Sequence, residues 1–397
     1  DGYGVLLIGA PKNQSITGAA YVILGSEFRP LAVVDLGNST ARLEGETEGD
    51  FAGMVSAAGD VDGDGYDDIL VGAPDAGDSS NGAAYLIRGS RSGIPSMNLA
   101  AHSDDLVTFD DNTNGDLGRA LSDMGDINGD GFDDVAIGDP NDSAIADNGG
   151  SCHTFLGSST GLADPANPAT FPATADNQRV GHAVSGAGDI DGDGLDDAIC
   201  GMPGLNGDDT GAVLVLFGTV AGFSDQAFAV WVGENPGDQA GSSASGADID
   251  GDGLSDIIVG APGHDNRGAA YIAMGCAFQD TGQTCIWSEL GLLADADTRL
   301  EGESSGDQAG SQVSGAGDIN GDGYEDILVS APGVEDNAGA TYLLLGTAAG
   351  VVQGDLASAD AVFFGKATDD FSGFAISAAG DFDGDGYDDL LIGAYKA

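Results

Sequence analysis

Short apolar runs recur along the chain, each preceded by acidic, glycine-rich text and closed by a turn. They read LLIGAP, ILVGAP, VAIGDP, AICGMP, IIVGAP, ILVSAP and LLIGAY. A few apolar residues bounded by Asp before and a Gly/Pro turn after predict a strand buried on both faces. A second strand is predicted at 18–25, 82–89, 150–157, 211–218, 268–275 and 339–346, each opening and closing on glycine. More polar strands are predicted at 30–36, 104–109, 226–232 and 360–364. Another precedes each complete acidic loop, as in FAGMVSAAGD (51–60) and SGFAISAAGD (372–381). The unit is therefore four short strands.

No helix-period stretch long enough to cover a sheet lies between these strands, which argues against an alternating α/β fold. Tandem four-stranded units predict an all-β fold, a β-propeller whose blades pack face to face and leave only short edges. Seven acidic-loop positions at a mean period of about 64 residues favour seven blades, with six as the alternative. The chain reads as one domain, 1–397, with repeats near 1–50, 51–116, 117–179, 180–239, 240–308, 309–370 and 371–397. The first repeat lacks its opening strand and the last stops after two. Either the piece is truncated or the termini share a blade.

Charge changes the picture. The 397 residues carry 66 Asp plus Glu against 11 Lys plus Arg, a formal net charge of −55. Such a field repels phosphate backbones and anionic headgroups, so neither nucleic acid nor a membrane is an expected partner. The longest apolar runs fall short of a membrane-spanning helix. The chain opens inside a motif, without an initiating Met or signal peptide, and reads as a mature or excised piece.

The acidic loops are DVDGDGYDD (60–68), DINGDGFDD (126–134), DIDGDGLDD (189–197), DIDGDGLSD (248–256), DINGDGYED (318–326) and DFDGDGYDD (381–389). Two carboxylates about 4 Å apart repel by roughly 4 kcal/mol at an effective dielectric near 20, so such crowding calls for a cation. Calcium takes six to eight oxygens in flexible geometry. The first, third, fifth and ninth side chains and the seventh backbone carbonyl can supply them. The candidate metal ligands are Asp60, Asp62, Asp64, Tyr66 and Asp68; Asp126, Asn128, Asp130, Phe132 and Asp134; Asp189, Asp191, Asp193, Leu195 and Asp197; Asp248, Asp250, Asp252, Leu254 and Asp256; Asp318, Asn320, Asp322, Tyr324 and Asp326; and Asp381, Asp383, Asp385, Tyr387 and Asp389. That gives about six Ca²⁺ sites, weaker where Asn128 and Asn320 replace an acid. Glycines at the fourth and sixth positions allow the tight, partly left-handed turn.

An EF-hand would need an acid at the twelfth position, where Val71, Ile137, Cys200, Val259, Val329 and Ile392 stand, so helix-loop-helix sites are excluded. Solvated acidic turns are the plain alternative, yet turn preference alone does not repeat one oxygen pattern six times. The degenerate opening DGYGV has Val5 at the closing position and is expected to hold no metal. Six calcium ions would supply only about +12 against the formal −55, which suits a salty or calcium-rich exterior.

The run LEGETEGD, FAGMVSAAGD, DVDGDGYDDILVGAP and GAAYLIRGS resembles the FG-GAP repeat of the integrin α-subunit β-propeller and its bacterial relatives. The resemblance implies a seven-bladed propeller, calcium in loops between the first two strands of a blade, extracellular recognition, and no catalysis. Some elements depart from it: Phe-Gly survives as Leu117-Gly118, Val180-Gly181, Ala240-Gly241 and Ala309-Gly310, while Gly-Ala-Pro becomes Gly-Asp-Pro at 138–140 and Gly-Met-Pro at 201–203. Nothing following the repeats reads as a leg domain or anchor, so a free-standing or multidomain bacterial-type protein fits better than an integrin subunit.

Other signals are weaker. GSSTG (157–161) fits a nucleophile-elbow pattern, but it aligns with GSRSG (89–93), GTVAG (218–222) and GTAAG (346–350) as a repeat turn. His102, His153, His182 and His264 lack metal-site spacing, and His153 stands in the slot of Tyr21, Tyr85, Tyr271 and Tyr342 as a packing residue. Cys276 and Cys285 flank a short insert and predict a local disulfide, whereas Cys152 and Cys200, on strand positions in successive repeats, read as buried free thiols, with a pair between blades as the alternative. Arg-Gly-Asp is absent.

The leading expectation is a non-catalytic, calcium-binding recognition or adhesion module, extracellular or at a cell surface. It would bind a protein or glycan through the loops after the strand-ending turns (74–81, 140–149, 203–210, 262–267, 332–338), which vary while the strands do not. The alternatives are an accessory domain of a secreted hydrolase and a structural surface-layer or matrix component.

Overall fold

The computed structural model describes residues 4–12, 17–25, 35–77, 81–101, 106–107, 115–163, 168–223, 228–276 and 290–397. Its regular structure is almost entirely strand, in successive small antiparallel sheets consistent with a propeller. The chain divides into two compact units, 1–186 with 218–227, and 187–217 with 228–397.

In the first unit the sheets are Val5–Ala10, Ala19–Leu24 and Ala41–Glu44; Met54–Gly59, Asp68–Ala73, Ala83–Ile87 and Leu106–Val107; and Ala120–Gly125, Asp134–Asp139, Ser151–Phe155 and Ala169–Pro172. The second unit holds Asp197–Gly201, Ala212–Leu216 and Phe228–Val232; Ser243–Ala247, Asp256–Ala261, Ala269–Ala273 and Thr298–Glu301; Val313–Gly317, Asp326–Ala331, Ala340–Leu344 and Ala361–Phe364; and the pair Ser372–Gly380 with Asp389–Ala394. Within each sheet, neighbouring strands in this order run antiparallel.

Three sheets gain a short parallel strand at the outer edge: Met97–Asn98 beside Ala41–Glu44, Leu290–Leu292 beside Phe228–Val232, and Gly354–Asp355 beside Thr298–Glu301. The outer strands depart most from the sequence expectation. Ala41–Glu44, Ala169–Pro172 and Thr298–Glu301 fall outside the predicted strands, and most of the stretch expected at 30–36 lies outside the described residues. These strands are half exposed and mixed in polarity, so no apolar run marks them.

The apolar runs behave as expected where a full sheet surrounds them. Every residue of Asp68–Ala73, Asp134–Asp139, Asp256–Ala261 and Asp326–Ala331 is buried. Val5–Ala10 and Asp389–Ala394 carry the same sequence type yet are only partly buried or exposed. Each pairs with a single neighbouring strand in its sheet, which leaves less apolar surface to cover it. Cores form between neighbouring sheets: Leu43, Val71, Tyr85, Ile87 and Leu99 in one cluster, Leu70, Leu86, Val135, Ile137 and Phe155 in the next. Each such Leu or Ile contributes roughly 1.5–3 kcal/mol by leaving water.

The turn glycine sets the spacing between repeats. A Cβ on Gly72 would fall 1.9 Å from the carbonyl oxygen of Gly118 in the following repeat, and one on Gly260 would fall 2.1 Å from that of Gly310. Only glycine lets those backbones touch.

Among the described residues no cysteine is free: Cys152, Cys200 and Cys276 are all disulfide-bonded. This corrects the expectation of free thiols at Cys152 and Cys200. Strand position carries burial, but which thiols meet is set by folding that repeat alignment does not encode. Cys285 lies outside the described residues, as does His102.

Candidate metal centres

Each acidic loop leaves the end of one strand and enters the next: 60–68 joins Met54–Gly59 to Asp68–Ala73, and 381–389 joins Ser372–Gly380 to Asp389–Ala394. The first carboxylate organises the turn. Asp60 accepts the N–H groups of Asp64 and Gly65, each at 2.9 Å, while Asp62 accepts from Asp64 at 3.2 Å and Asp64 from Tyr66 at 3.0 Å. Asp189, Asp248, Asp318 and Asp381 hold their loops in the same way. Gly63 and Gly65 adopt φ of 70° and 89°, so the left-handed turn expected from the sequence is present.

This folding gathers acids. Single oxygens of Asp60, Asp62 and Asp64 lie within 4.8 Å of one another, as do those of Asp189, Asp191 and Asp197, of Asp248, Asp250 and Asp252, and of Asp381, Asp383 and Asp385. In the other two loops the third position is an amide, and the Asn128 and Asn320 oxygens accept from Asp130 and Asp322 at 2.8 and 2.9 Å. The donor set is all hard oxygen, which fits a hard divalent cation such as calcium and not a thiolate- or imidazole-seeking metal. Arg88 approaches Asp62 at 3.6 Å and adds partial neutralisation to the first loop.

The ninth acid anchors its loop, a task that spacing did not reveal. Asp68 accepts the N–H of Val61 at 3.2 Å with one oxygen and that of Gly89, beyond the following strand, at 2.7 Å with the other. Asp134, Asp256 and Asp326 repeat the grip on Ile127 and Gly157, Ile249 and Gly275, and Ile319 and Gly346. Burial pushes the Asp68 carboxyl up to about 6 against the lowering effect of the Gly89 bond, with Asp62 and Asp60 adding like-charge repulsion. Asp134 and Asp256 are pushed to about 7 for the same reasons. Asp191 rises to about 6, by burial and then the charge of Asp193. A nearby cation is what would let these acids ionise at neutral pH.

The eighth residue, absent from the predicted ligand set, ties one loop to the loop before it. Asp133 accepts the N–H of Asp60 at 2.7 Å and returns its own N–H to the Asp60 carbonyl at 3.3 Å. Glu325 does the same to Asp248 at 3.0 and 3.1 Å, and Asp388 to Asp318 at 2.9 and 3.5 Å. Ser255 keeps only the backbone half, donating its N–H to Asp189 at 2.9 Å. The partners lie about 70 residues apart, so only the repeat period could have signalled them.

The remaining candidates resolve into structure. Ser158 in GSSTG donates its hydroxyl to Gly161 at 2.7 Å, as Thr347 does to Gly350, which makes this a repeat turn. His153 is buried between Ser151 at 2.8 Å and Thr170 at 3.0 Å, a packing role. Asp1, at the head of the degenerate opening loop, lies outside the described residues.

The strand pattern, the loops and the touching glycines together define a repeat class, and the chain carries FG-GAP repeats, matched by the model of that family at residues 52–87, 240–272, 309–344 and 372–397. The two complete repeats left unmatched between them are those with Gly-Asp-Pro and Gly-Met-Pro turns. The chain is also similar to integrin α subunits: 30% identical over 232 residues to integrin alpha pat-2 of Caenorhabditis briggsae, covering 56% of this chain and 18% of that protein. It is 29% identical over 230 residues to integrin alpha-V of Gallus gallus, covering 57% and 21%. For integrin alpha-PS2 of Drosophila melanogaster the figures are 30% over 232 residues, covering 56% and 16%. The similarity thus spans about a fifth of these relatives' length.

Proposed function

We propose that this chain is a calcium-stabilised extracellular recognition or adhesion module, a seven-bladed propeller that binds a protein or glycan and carries no catalytic site. The observation behind this reading is the loop built six times from hard oxygens at a strand-to-strand turn. In it, the first, third, fifth and ninth side chains, from Asp60 to Asp389, and the carbonyls of Tyr66, Phe132, Leu195, Leu254, Tyr324 and Tyr387 would hold each ion. Bound calcium would neutralise the acids and lock the turn. The chain's own residues supply the rest, since the first Asp shapes the loop and the ninth anchors it to the next strand.

The similarity to integrin α subunits favours recognition at the cell exterior. The five apolar strands from Asp68–Ala73 to Asp326–Ala331 each start at a proposed metal loop and end at a variable loop, so the variable loops stand at the opposite end of the sheet, where they could contact a ligand. No described helix is long and apolar enough to cross a membrane.

The test is metal content and metal-dependent unfolding. Native mass spectrometry should count about six bound calcium ions, and EDTA should lower the melting temperature steeply, with magnesium restoring little because it resists full dehydration. Asp191→Ala should remove one ion. Folded protein without tightly held ions, unfolding identically in EDTA and calcium, would sink the reading.

A further inference from the structure

The acids at the eighth loop position lie between two proposed ligands of their own loop while bonding the first ligand residue of the loop before. Asp133 stands between Phe132 and Asp134, and its side chain and backbone both grip Asp60. The ring of Phe132 also lies against Gly63: a Cβ there would fall 2.6 Å from it. Tyr324 crowds Gly251 and Tyr387 crowds Gly321 in the same way, so the arrangement recurs where Glu325 and Asp388 stand.

We propose that Asp133, Glu325 and Asp388 are positioning residues that couple neighbouring metal loops, so that filling one loop raises the affinity of the loop preceding it. Metal in 126–134 fixes the backbone of Phe132 and Asp134 and therefore the carboxylate between them. That carboxylate holds the amide of Asp60, the residue on which the whole preceding turn is built. Because coupling free energy is reciprocal, metal in 60–68 favours binding in 126–134 by the same factor. The pair 189–197 and 248–256, where Ser255 offers no carboxylate, is the weak link of the series.

The inference rests on the metal reading above, and terbium tests it on the full chain. Tyr66 should sensitise terbium luminescence in loop 60–68, and Tyr324→Phe with Tyr387→Phe removes the tyrosines of the other proposed metal loops. In that background Asp130→Ala, which disables loop 126–134, should raise the Tyr66-sensitised midpoint about fivefold or more. With Asp133→Ala also present, Asp130→Ala should shift it no further. An unmoved midpoint, or a shift of equal size without the Asp133 carboxylate, overturns the coupling while leaving the metal sites intact; absence of Tyr66-sensitised emission sinks both. If Asp133→Ala fails to fold by circular dichroism, Ser255→Asp supplies the test by gain. A tyrosine reporter introduced by Leu195→Tyr should then feel Asp252→Ala more strongly in the Ser255→Asp background than with Ser255 retained, and an equal response overturns the proposal.

Discussion

The backbone N–H of Asp116 donates to the carboxylate of Asp139 at 2.7 Å, across 23 residues of chain. In four other repeats an acid two residues before Ala52, Ala240, Ala309 or Ser372 caps its own turn: Asp50 takes the N–H of Thr47 at 2.6 Å, Asp238 that of Asn235, Asp307 that of Ser304 and Asp370 that of Ala367. In this repeat that position is Gly115, and a Cβ there would fall 2.3 Å from an Asp139 oxygen. The Gly-Asp-Pro departure at 138–140 thus sets, from a neighbouring strand, a carboxylate in the space that a side chain at residue 115 would take.

Asp139→Ala should therefore destabilise the protein by about 1–3 kcal/mol, the range for leaving buried donors unpaired. Gly115→Asp alone should also be destabilising, since it clashes with Asp139. The double substitution restores the arrangement of the other repeats, so denaturant melts should show it closer to wild type than either single change. Additive losses would refute the exchange.

Metal-free protein should be more stable in mild acid. The carboxyls of Asp68, Asp134 and Asp256 rise on folding from 3.8 to about 6, 7 and 7, so between pH 4 and 7 the folded state holds protons that the unfolded state has released. Their contribution is present below the unfolded value and is lost as pH rises through the folded one. EDTA-treated protein should melt higher at pH 5.5 than at pH 7.5. With calcium the trend should reverse, because protons then compete with the ion.

Buried tyrosines lean on glutamates of the stretch just before their own repeat. Tyr85 donates to Glu46 at 2.6 Å, Tyr342 to Glu303 at 2.8 Å and Tyr271 to Glu234 at 3.1 Å. Arg299 also bonds Glu234, at 2.7 Å, whereas no arginine bond to Glu46 accompanies that of Tyr85 among the described contacts. Tyr85→Phe should cost about 1.5–3 kcal/mol and Tyr271→Phe less, because Glu234 keeps a charged partner. Chemical denaturation of the two variants, side by side, decides it.

Alkylation of native, unreduced protein should leave Cys152, Cys200 and Cys276 unlabelled in a peptide map. Reduction should lower stability by roughly 2–5 kcal/mol.

The inner two strands and the acidic loops are legible because each is contiguous text: an apolar run, a turn, and alternating acids. Asp60, Asp62 and Asp64 need only local backbone to converge. The outer strands were not, since Thr298–Glu301 alternates buried and half-exposed residues too briefly to stand out. Asp133 and Asp139 were invisible for a different reason. Each works on a residue far along the chain, and nothing in its immediate neighbours says so.

The short parallel segments at 97–98, 290–292 and 354–355 occupy sheet margins that would otherwise offer unpaired N–H and C=O groups to another molecule. A strongly charged β protein in high salt loses the repulsion that keeps copies apart. Blocking the rims with its own connecting chain guards against fibrous association by geometry, a protection that ionic strength does not erode.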